Sequence, residues 1–326
     1  MQPIKFEPIY KETIWGGNKI PRIKHAGGLD GRLIGESWEL SGVDGSESVV
    51  ADGPYKGMKL PDLVDELKEK LVGTDNYRRF GNRFPLLIKF IDARRDLSVQ
   101  VHPDDETAVK QGMMNGKNEM WYLLDSDSDA SLRCGLRERL TPDEVKKRVA
   151  DGTICDAIAL YPVKAGDCFY IPAGRVHSIG AGCLIAEIQQ TSDTTYRLYD
   201  YNRRDSHGNL RELHVDKAAE CIDYSVSDDY KTHYRAAKNT RIPLVECPYF
   251  NTALYDINCS KILDYSGLDS FVILIGVSGT GKLTDNEGNV AFLHKCESLL
   301  IPATTANLNI EGNVKFILIV NIVCLR

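Results

Sequence analysis

AGDCFYIPAGRVH, residues 165–177, is the stretch that decides the fold class, because it places one apolar strand between two turns. The Gly-Asp pair favours a turn, CFYI is typical of a buried strand, and Pro-Ala-Gly favours a second turn before His177. These turns deliver the imidazole of His177 at a defined point. Such a histidine is either a ligand at a functional site or a satisfied residue of the core.

A second, similar stretch, KCESLLIPATTAN, occupies residues 295–307. It also combines a turn, an apolar strand and the sequence Ile-Pro-Ala. When the two stretches are aligned on Pro172 and Pro302, His177 falls opposite Asn307. If both are the same β-module, only the first carries a ligand-type side chain, so we expect the chemistry in the first half of the chain.

Strand-like alternation and turn residues dominate the rest of the chain, which at 326 residues is long enough for two domains. Helices are predicted at 60–73, where leucines and a valine form one stripe, and at 141–151, where Thr141 and Glu144 form a capping box. A weaker helix signal covers residues 215–224. The predicted fold class is mainly β, a sandwich or barrel with helical insertions.

The stretch DLSVQVHPDDE, residues 96–106, is typical of a strand that ends in a turn. Alternation places three apolar side chains on one face of this strand and Ser98, Gln100 and His102 on the other. An amide and an imidazole on one enclosed face are suited to binding a shared ligand.

A carboxylate, Glu119, begins the apolar run of GKNEMWYLL, where burial is costly unless the charge is paired or bound to a metal. Two imidazoles, a carboxylate and an amide oxygen can hold a divalent ion, most often zinc. Taken singly, each residue also has an ordinary interpretation that does not involve a metal ion. His102 could be a turn residue bonded to Asp104, Glu119 a surface charge, and His177 a core histidine.

The stretch GVSGTGKL, residues 276–283, fits the glycine-rich pattern of a phosphate-binding loop except at its last position. Leu283 stands where a hydroxyl should bind magnesium, and the following LTDNEGNV favours turns rather than the helix that such a loop must open. We therefore predict strands joined by glycine-rich turns, with Lys282 in a turn, and no nucleotide site.

Composition narrows the functional class. The net charge of −6 disfavours nucleic acid and anionic membranes as partners. The first residues show no secretory signal, and the longest apolar runs are too short to span a bilayer as helices. Nine cysteines without paired spacing are typical of free thiols in a reducing cytoplasm, which is the predicted location.

The spacing G-x5-P-x-G-x2-H at residues 166–177 matches the second motif of the cupin superfamily as far as its histidine. Ala181 replaces the expected asparagine, Gln100-x-His102 replaces the usual His-x-His, and Glu119 comes later than usual. With these departures, the chain resembles the type I mannose-6-phosphate isomerases in their short bacterial form. The resemblance runs over most of residues 1–205 and is carried by IWGGNKI, FPLLIKFIDARRDLSVQVHPDD, GKNEMWYLLD and YIPAGRVHSIGAGCLIAEIQQTSDTTYRLYDY.

This resemblance implies one zinc ion per chain, held by the matching residues Gln100, His102, Glu119 and His177. It also implies a catalytic role for Arg197, which could stabilise an enediolate. Without the resemblance, a solvent-facing strand arginine would be the simpler interpretation.

The family position of Lys117 implies a second catalytic residue, which contributes charge or binds substrate oxygens, although the sequence alone also allows a surface lysine. The implied reaction interconverts mannose 6-phosphate and fructose 6-phosphate. The group that acts as general base is left open.

The implied fold has two cupin-type β-barrel or jelly-roll modules with helical insertions. Residues 1–240 would form the catalytic, metal-binding domain, including the insertions near 60–73 and 141–151, and residues 241–326 a metal-free β domain. The alternatives are a metal-dependent cupin oxygenase and a non-catalytic sugar-binding cupin.

Overall fold

A computed structural model describes residues 1–29, 31–204 and 207–321. Strands dominate these residues, as the alternating sequence predicts. The strands are β1 (Ile9–Gly17), β2 (Ile34–Leu40), β3 (Gly42–Val43), β4 (Ser46–Glu47), β5 (Leu86–Asp92), β6 (Val99–Val101), β7 (Glu119–Ser126), β8 (Ser131–Leu136), β9 (Ile158–Pro162), β10 (Cys168–Ile171), β11 (His177–Ile179), β12 (Cys183–Gln190), β13 (Tyr196–Tyr199), β14 (Lys231–Thr232), β15 (Ile242–Glu246), β16 (Asn251–Ile257), β17 (Lys261–Asp264), β18 (Val272–Asp285), β19 (Val290–His294), β20 (Ser298–Ile301) and β21 (Asn307–Val320).

The helices are short. They are α1 (Lys19–Lys24), α2 (Leu60–Leu67), α3 (Glu69–Val72), α4 (Thr74–Phe80), α5 (Asp105–Lys110), α6 (Pro142–Ala150) and α7 (Val215–Cys221), with one 3-10 turn at Ile154–Ala157. The predicted helix at 60–73 is divided at Lys68, which has a positive φ of 51°. The helix predicted at 141–151 is confirmed, and its capping box between Thr141 and Glu144 is present.

The strands form three larger sheets and one two-stranded sheet, β3-β4. The first has the order β1-β2-β5-β12-β7-β10-β14, and the second has the order β13-β6-β11-β8-β9. The third has the order β15-β16-β21-β18-β19, with β17 paired to β21 and β20 to β18. The mainly β class is confirmed, while each sheet, traced over the described strands, is open rather than closed into a barrel.

Chain contacts divide the protein into two compact, discontinuous units. One unit comprises residues 10–37 and 89–232, and the other comprises residues 1–9, 38–88 and 233–326. All the residues proposed from the sequence for the active site belong to the unit of 10–37 and 89–232, which we call the site unit. A single domain boundary at residue 240 stays a prediction.

The core of the site unit contains side chains from the first and second sheets. Trp121 and Phe169 contribute from the first sheet, and Leu132 and Ile179 from the second. All four side chains are buried, and removing their apolar surface from water stabilises the fold by several kcal/mol. This packing fixes the strands that carry the candidate site.

In the other unit, β18 and β21 are paired along their whole lengths, and alternate side chains form a second core. The predicted similarity of 165–177 and 295–307 is confirmed locally, because His177 begins β11 just as Asn307 begins β21, each after a short strand and a turn.

The prediction for GVSGTGKL was partly wrong. These residues lie inside the continuous strand β18, which has a register shift between Gly276 and Ser278. Lys282 is therefore a strand residue rather than a turn residue. The glycines are needed where backbones approach closely, since a Cβ on Gly279 would lie 2.0 Å from the carbonyl oxygen of Asn313. No helix follows to bind phosphate, because the described chain continues into β19.

None of the described helices has both the length and the apolar composition required to cross a bilayer. The eight cysteines in the described part of the chain are free thiols, as expected; Cys324 lies outside it.

Candidate metal centre and active site

Neighbouring strands bring the predicted ligand positions together. Gln100 in β6 is the direct cross-strand partner of His177 in β11, and His102 follows β6 immediately. Glu119 begins β7 and is paired with Ile171 of β10, the strand that leads through the Pro-Ala-Gly turn to His177. The second sheet therefore supplies the two histidines, and the first sheet supplies the carboxylate.

His102, Glu119 and His177 form a compact group whose ligand atoms all lie within 4.8 Å of one another. His102 Nε2 is 3.5 Å from Glu119 Oε2, and His177 Nε2 is 3.4 Å from Glu119 Oε1. All three side chains are buried. Two of the simpler interpretations are therefore wrong. Glu119 is not a surface charge, and His102 is not a turn residue bonded to Asp104.

The ring orientation of both histidines is fixed by backbone carbonyls. His102 Nδ1 is 3.0 Å from the carbonyl oxygen of Thr194, and His177 Nδ1 is 2.7 Å from that of Arg175. In each pair Nδ1–H donates to the carbonyl, which leaves Nε2 as an unprotonated lone pair. Trp121 packs edge-on against the His177 ring at 5.2 Å. These contacts are typical of those that orient metal-binding imidazoles.

Burial and neighbouring charges keep the group in the protonation states that bind metals. Burial lowers the pKa of His102 to about 3, assisted by the nearby Lys117 charge, and burial also lowers the pKa of His177. Burial opposes ionisation of Glu119, but the charge of the adjacent Lys117 outweighs it and holds the Glu119 pKa well below its usual value. Two neutral imidazoles therefore face a carboxylate.

The donor set fits a divalent cation. Lys117 Nζ lies 2.8 Å from Glu119 Oε2 and 3.2 Å from His102 Nε2. Even so, neither Glu119 oxygen receives a well-aligned hydrogen bond from the residues that the structure describes. A fully buried carboxylate with open lone pairs is costly, and a bound cation would satisfy it.

Gln100 stands beside this group with its amide nitrogen 3.3 Å from His177 Nε2 and its oxygen 3.5 Å from Ser98 Oγ. Only the oxygen of an amide binds a metal ion. A half-turn of the amide exchanges the two atoms, since they are nearly equivalent in shape.

Arg197 lies in β13, directly opposite Gln100 across the β6–β13 ladder. Its side chain lines a cavity of about 290 Å³ together with Gln100 and Lys117. The surface alternative for Lys117 is wrong, since Lys117 is only 4% exposed, whereas Arg197 is partly buried.

Sequence reasoning missed five further charged residues that line the cavity. They are Glu36, Lys89, Glu187, Asp193 and Arg211. The signal that identified Glu119, a charge within an apolar strand, was also available in LLIKFID for Lys89 and in CLIAEIQQ for Glu187.

Three of these charges form a row across adjacent strands β2, β5 and β12. Lys89 Nζ lies 3.6 Å from a carboxylate oxygen of Glu36 and 3.6 Å from one of Glu187. Trp121 Nε1 donates to Glu187 at 3.1 Å. Burial and the Glu119 charge raise the pKa of Glu187. This row gives the first sheet an acidic wall that can accept hydrogen bonds from hydroxyl groups.

The fold and the group of ligand atoms define a mainly β protein with a candidate metal centre in a charged cavity. Residues 4–128 match the family model for the catalytic domain of type I phosphomannose isomerase, and residues 240–321 match that for the cupin domain of mannose-6-phosphate isomerase. Mannose-6-phosphate isomerase ManA of Bacillus subtilis is 35% identical over 314 residues, which cover 95% of this chain and 96% of the relative.

Further relatives agree. A mannose-6-phosphate isomerase of Streptococcus mutans is 32% identical and covers 97% of both chains. The crystal structure of the mannose 6-phosphate isomerase from Bacillus subtilis superposes with a TM-score of 0.87 and 32% identity, covering 98% of this chain and 99% of that one. The chain belongs to the type I mannose-6-phosphate isomerase family.

Proposed function

We propose that this protein interconverts mannose 6-phosphate and fructose 6-phosphate. The observation that carries the proposal is the buried group of His102, Glu119 and His177 beside a cavity lined by Arg197 and Lys117. The whole-length similarity to mannose-6-phosphate isomerases supports the same activity.

The proposed reaction moves a proton between C1 and C2 of the sugar through an enediol. Negative charge develops on the oxygens of these carbons, and a fixed positive group stabilises it. Arg197 is suited to this role, because a guanidinium stays charged and its planar donors can contact an oxyanion. Lys117 supplies a second positive charge close to the ligand group, while Glu36, Glu187 and Asp193 are placed to accept hydrogen bonds from sugar hydroxyls.

We assign the metal ligands as His102, Glu119, His177 and, through its amide oxygen, Gln100. Zinc is the proposed occupant, one per chain, because this ligand set is rich in nitrogen and free of thiolates. When bound, a divalent ion supplies a Lewis acid that polarises the sugar oxygens. We further propose that the chain comprises two cupin-type modules and that the protein is located in the cytoplasm.

The test is metal analysis of the purified protein together with a coupled assay of fructose 6-phosphate formation from mannose 6-phosphate. We expect about one zinc ion per chain and steady isomerisation that a chelator abolishes and added zinc restores. Protein that carries iron and shows no isomerisation would instead favour the oxygenase alternative.

A further inference from the structure

Three arginines surround one buried carboxylate at the edge of the cavity; we call Arg197, Arg203, Arg211 and Asp200 the arginine corner. Asp200 forms an ion pair with Arg203 and lies 3.5 Å from Arg211 Nη1. Three guanidinium charges against one carboxylate leave two positive charges in excess. Burial, and after it the charge of Arg211, lowers the pKa of Arg197.

Two of these arginines have unused donors. Arg197 Nη1 donates to the carbonyl oxygen of Glu212 at 2.8 Å, but the buried Arg197 Nε has no hydrogen bond within the described part of the chain. The buried Nη1 of Arg211, 3.5 Å from Asp200, also has no well-aligned hydrogen bond to another described residue. Both side chains line the cavity, whereas Arg203 does not. Guanidinium groups that line a cavity and do not use all their donors are suited to binding an anion.

Residues 211–214 hold this arrangement against β13. The amide of His214 donates to the carbonyl of Arg197 at 2.7 Å, and the amide of Arg197 donates to His214 Nδ1 at 3.2 Å. Arg197 therefore lies between Gln100, its partner in β6, and the segment that carries Arg211. The order across these elements is ligand group, Arg197, then Arg211.

We propose that Arg211 binds the phosphate group of the substrate and thereby selects phosphorylated sugars. This inference rests on the proposed function. In a hexose 6-phosphate, the phosphate is at the opposite end of the carbon chain from C1 and C2. The observed order places Arg197 at the reacting end and Arg211 at the far end, where the planar guanidinium matches a phosphate dianion.

The acidic wall supports the same orientation of the substrate. Glu36, Lys89 and Glu187 lie on strands of the first sheet, whereas Arg197 lies in the second sheet. A phosphate dianion is repelled by the carboxylates and attracted by Arg197 and Arg211, the two arginines that line the cavity. The neutral hydroxyl groups of the sugar can instead face the carboxylates, which accept hydrogen bonds from them.

The experiment compares the metal-loaded full chain with Arg211→Gln, Arg211→Lys and Arg203→Gln. For Arg211→Gln we expect KM for mannose 6-phosphate to rise about tenfold or more while kcat stays within about threefold, because contact to the phosphate is the same in substrate and transition state. Arg211→Lys should restore part of the affinity, since it keeps the charge and loses the planar fork. Arg203→Gln is the matched control, because Arg203 shares Asp200 but does not line the cavity.

Calorimetric titration with inorganic phosphate provides a readout that needs no turnover. Phosphate affinity should fall about tenfold or more in Arg211→Gln and change less than about threefold in Arg203→Gln, with equal metal content in all proteins. If parent and Arg211→Gln bind phosphate equally, the anion binds elsewhere, the metal included, and the assignment of Arg211 fails. Because this measurement does not involve isomerisation, a protein inactive on mannose 6-phosphate would refute the proposed function without deciding the role of Arg211.

Discussion

Gln100 and His177 face each other across the β6–β11 ladder, and the amide nitrogen of Gln100 lies 3.3 Å from His177 Nε2. The same Gln100 is the cross-strand partner of Arg197 on its other side. One three-residue strand therefore aligns a proposed ligand on one neighbour with a proposed catalytic residue on the other. Substitutions of His177 on one side of this strand and of Arg197 on the other can therefore separate effects on metal binding from effects on the reaction.

Replacement of His177 or His102 by alanine should remove the metal ion and isomerase activity together. Each substitution deletes one nitrogen ligand, and the remaining donors leave the ion incompletely coordinated. Metal content per chain and turnover should be measured on the same preparation, with circular dichroism to verify folding. A folded variant with full metal content and full activity would show that the residue is not a ligand.

Arg197→Ala should retain the metal ion and lower kcat by a hundredfold or more, roughly as for a lost oxyanion donor. Arginine is not a ligand, and its proposed contact is to charge that develops in the transition state. Steady-state kinetics of the zinc-replete variant will separate this result from a raised KM with intact kcat, which would instead indicate ground-state binding. An unchanged kcat would refute the catalytic assignment.

The stability of the metal-free protein should fall as the pH is lowered from about 7 to 5. In the folded chain, burial lowers the pKa of His102 to about 3 and also lowers that of His177. Since an unfolded imidazole titrates near 6.5, the unfolded chain binds more protons below that pH, and stability rises with pH until about 6.5. His102, whose folded pKa of about 3 lies well below this range, should contribute a slope approaching about 1.4 kcal/mol per pH unit, and His177 contributes in the same direction.

Urea unfolding of chelator-treated protein at several pH values measures this slope. The free energy of unfolding of His102→Ala should depend less steeply on pH, by the equivalent of about one bound proton, because the other histidines are the same in both proteins. Identical pH profiles for parent and variant would mean that His102 is not buried in its neutral form.

Lys282→Ala should leave isomerase activity within about threefold of the parent and stability within about 0.5 kcal/mol. Lys282 is a strand residue in the other unit, and its ion pair with Glu311 at 3.4 Å is half exposed on both sides. Such pairs contribute little. Equilibrium dialysis with ATP is the companion measurement, and ATP binding that disappears in the variant would contradict the strand interpretation of GVSGTGKL.

The sequence determined the features that depend on neighbours along the chain. The capping box of Thr141 and Glu144 starts α6 as predicted, because both partners lie within one helical turn. The alternation around Gln100 placed Gln100 and His102 on one face, and the spacing from Gly166 to His177 together with the family resemblance predicted the ligands. By contrast, the local glycine pattern of 276–283 was insufficient to distinguish a turn from a strand, since pairing with β21 keeps the segment extended.

Only the tertiary structure decided which distant charges meet in the cavity. Glu36, Lys89 and Glu187 come together because β2, β5 and β12 are neighbours in the sheet, an order that follows from long-range strand pairing. Arg211 reaches the cavity because residues 212 and 214 bond to Arg197 in β13. Alternation along a strand determines which face a side chain occupies, whereas the pairing of strands far apart in the chain determines what that side chain meets.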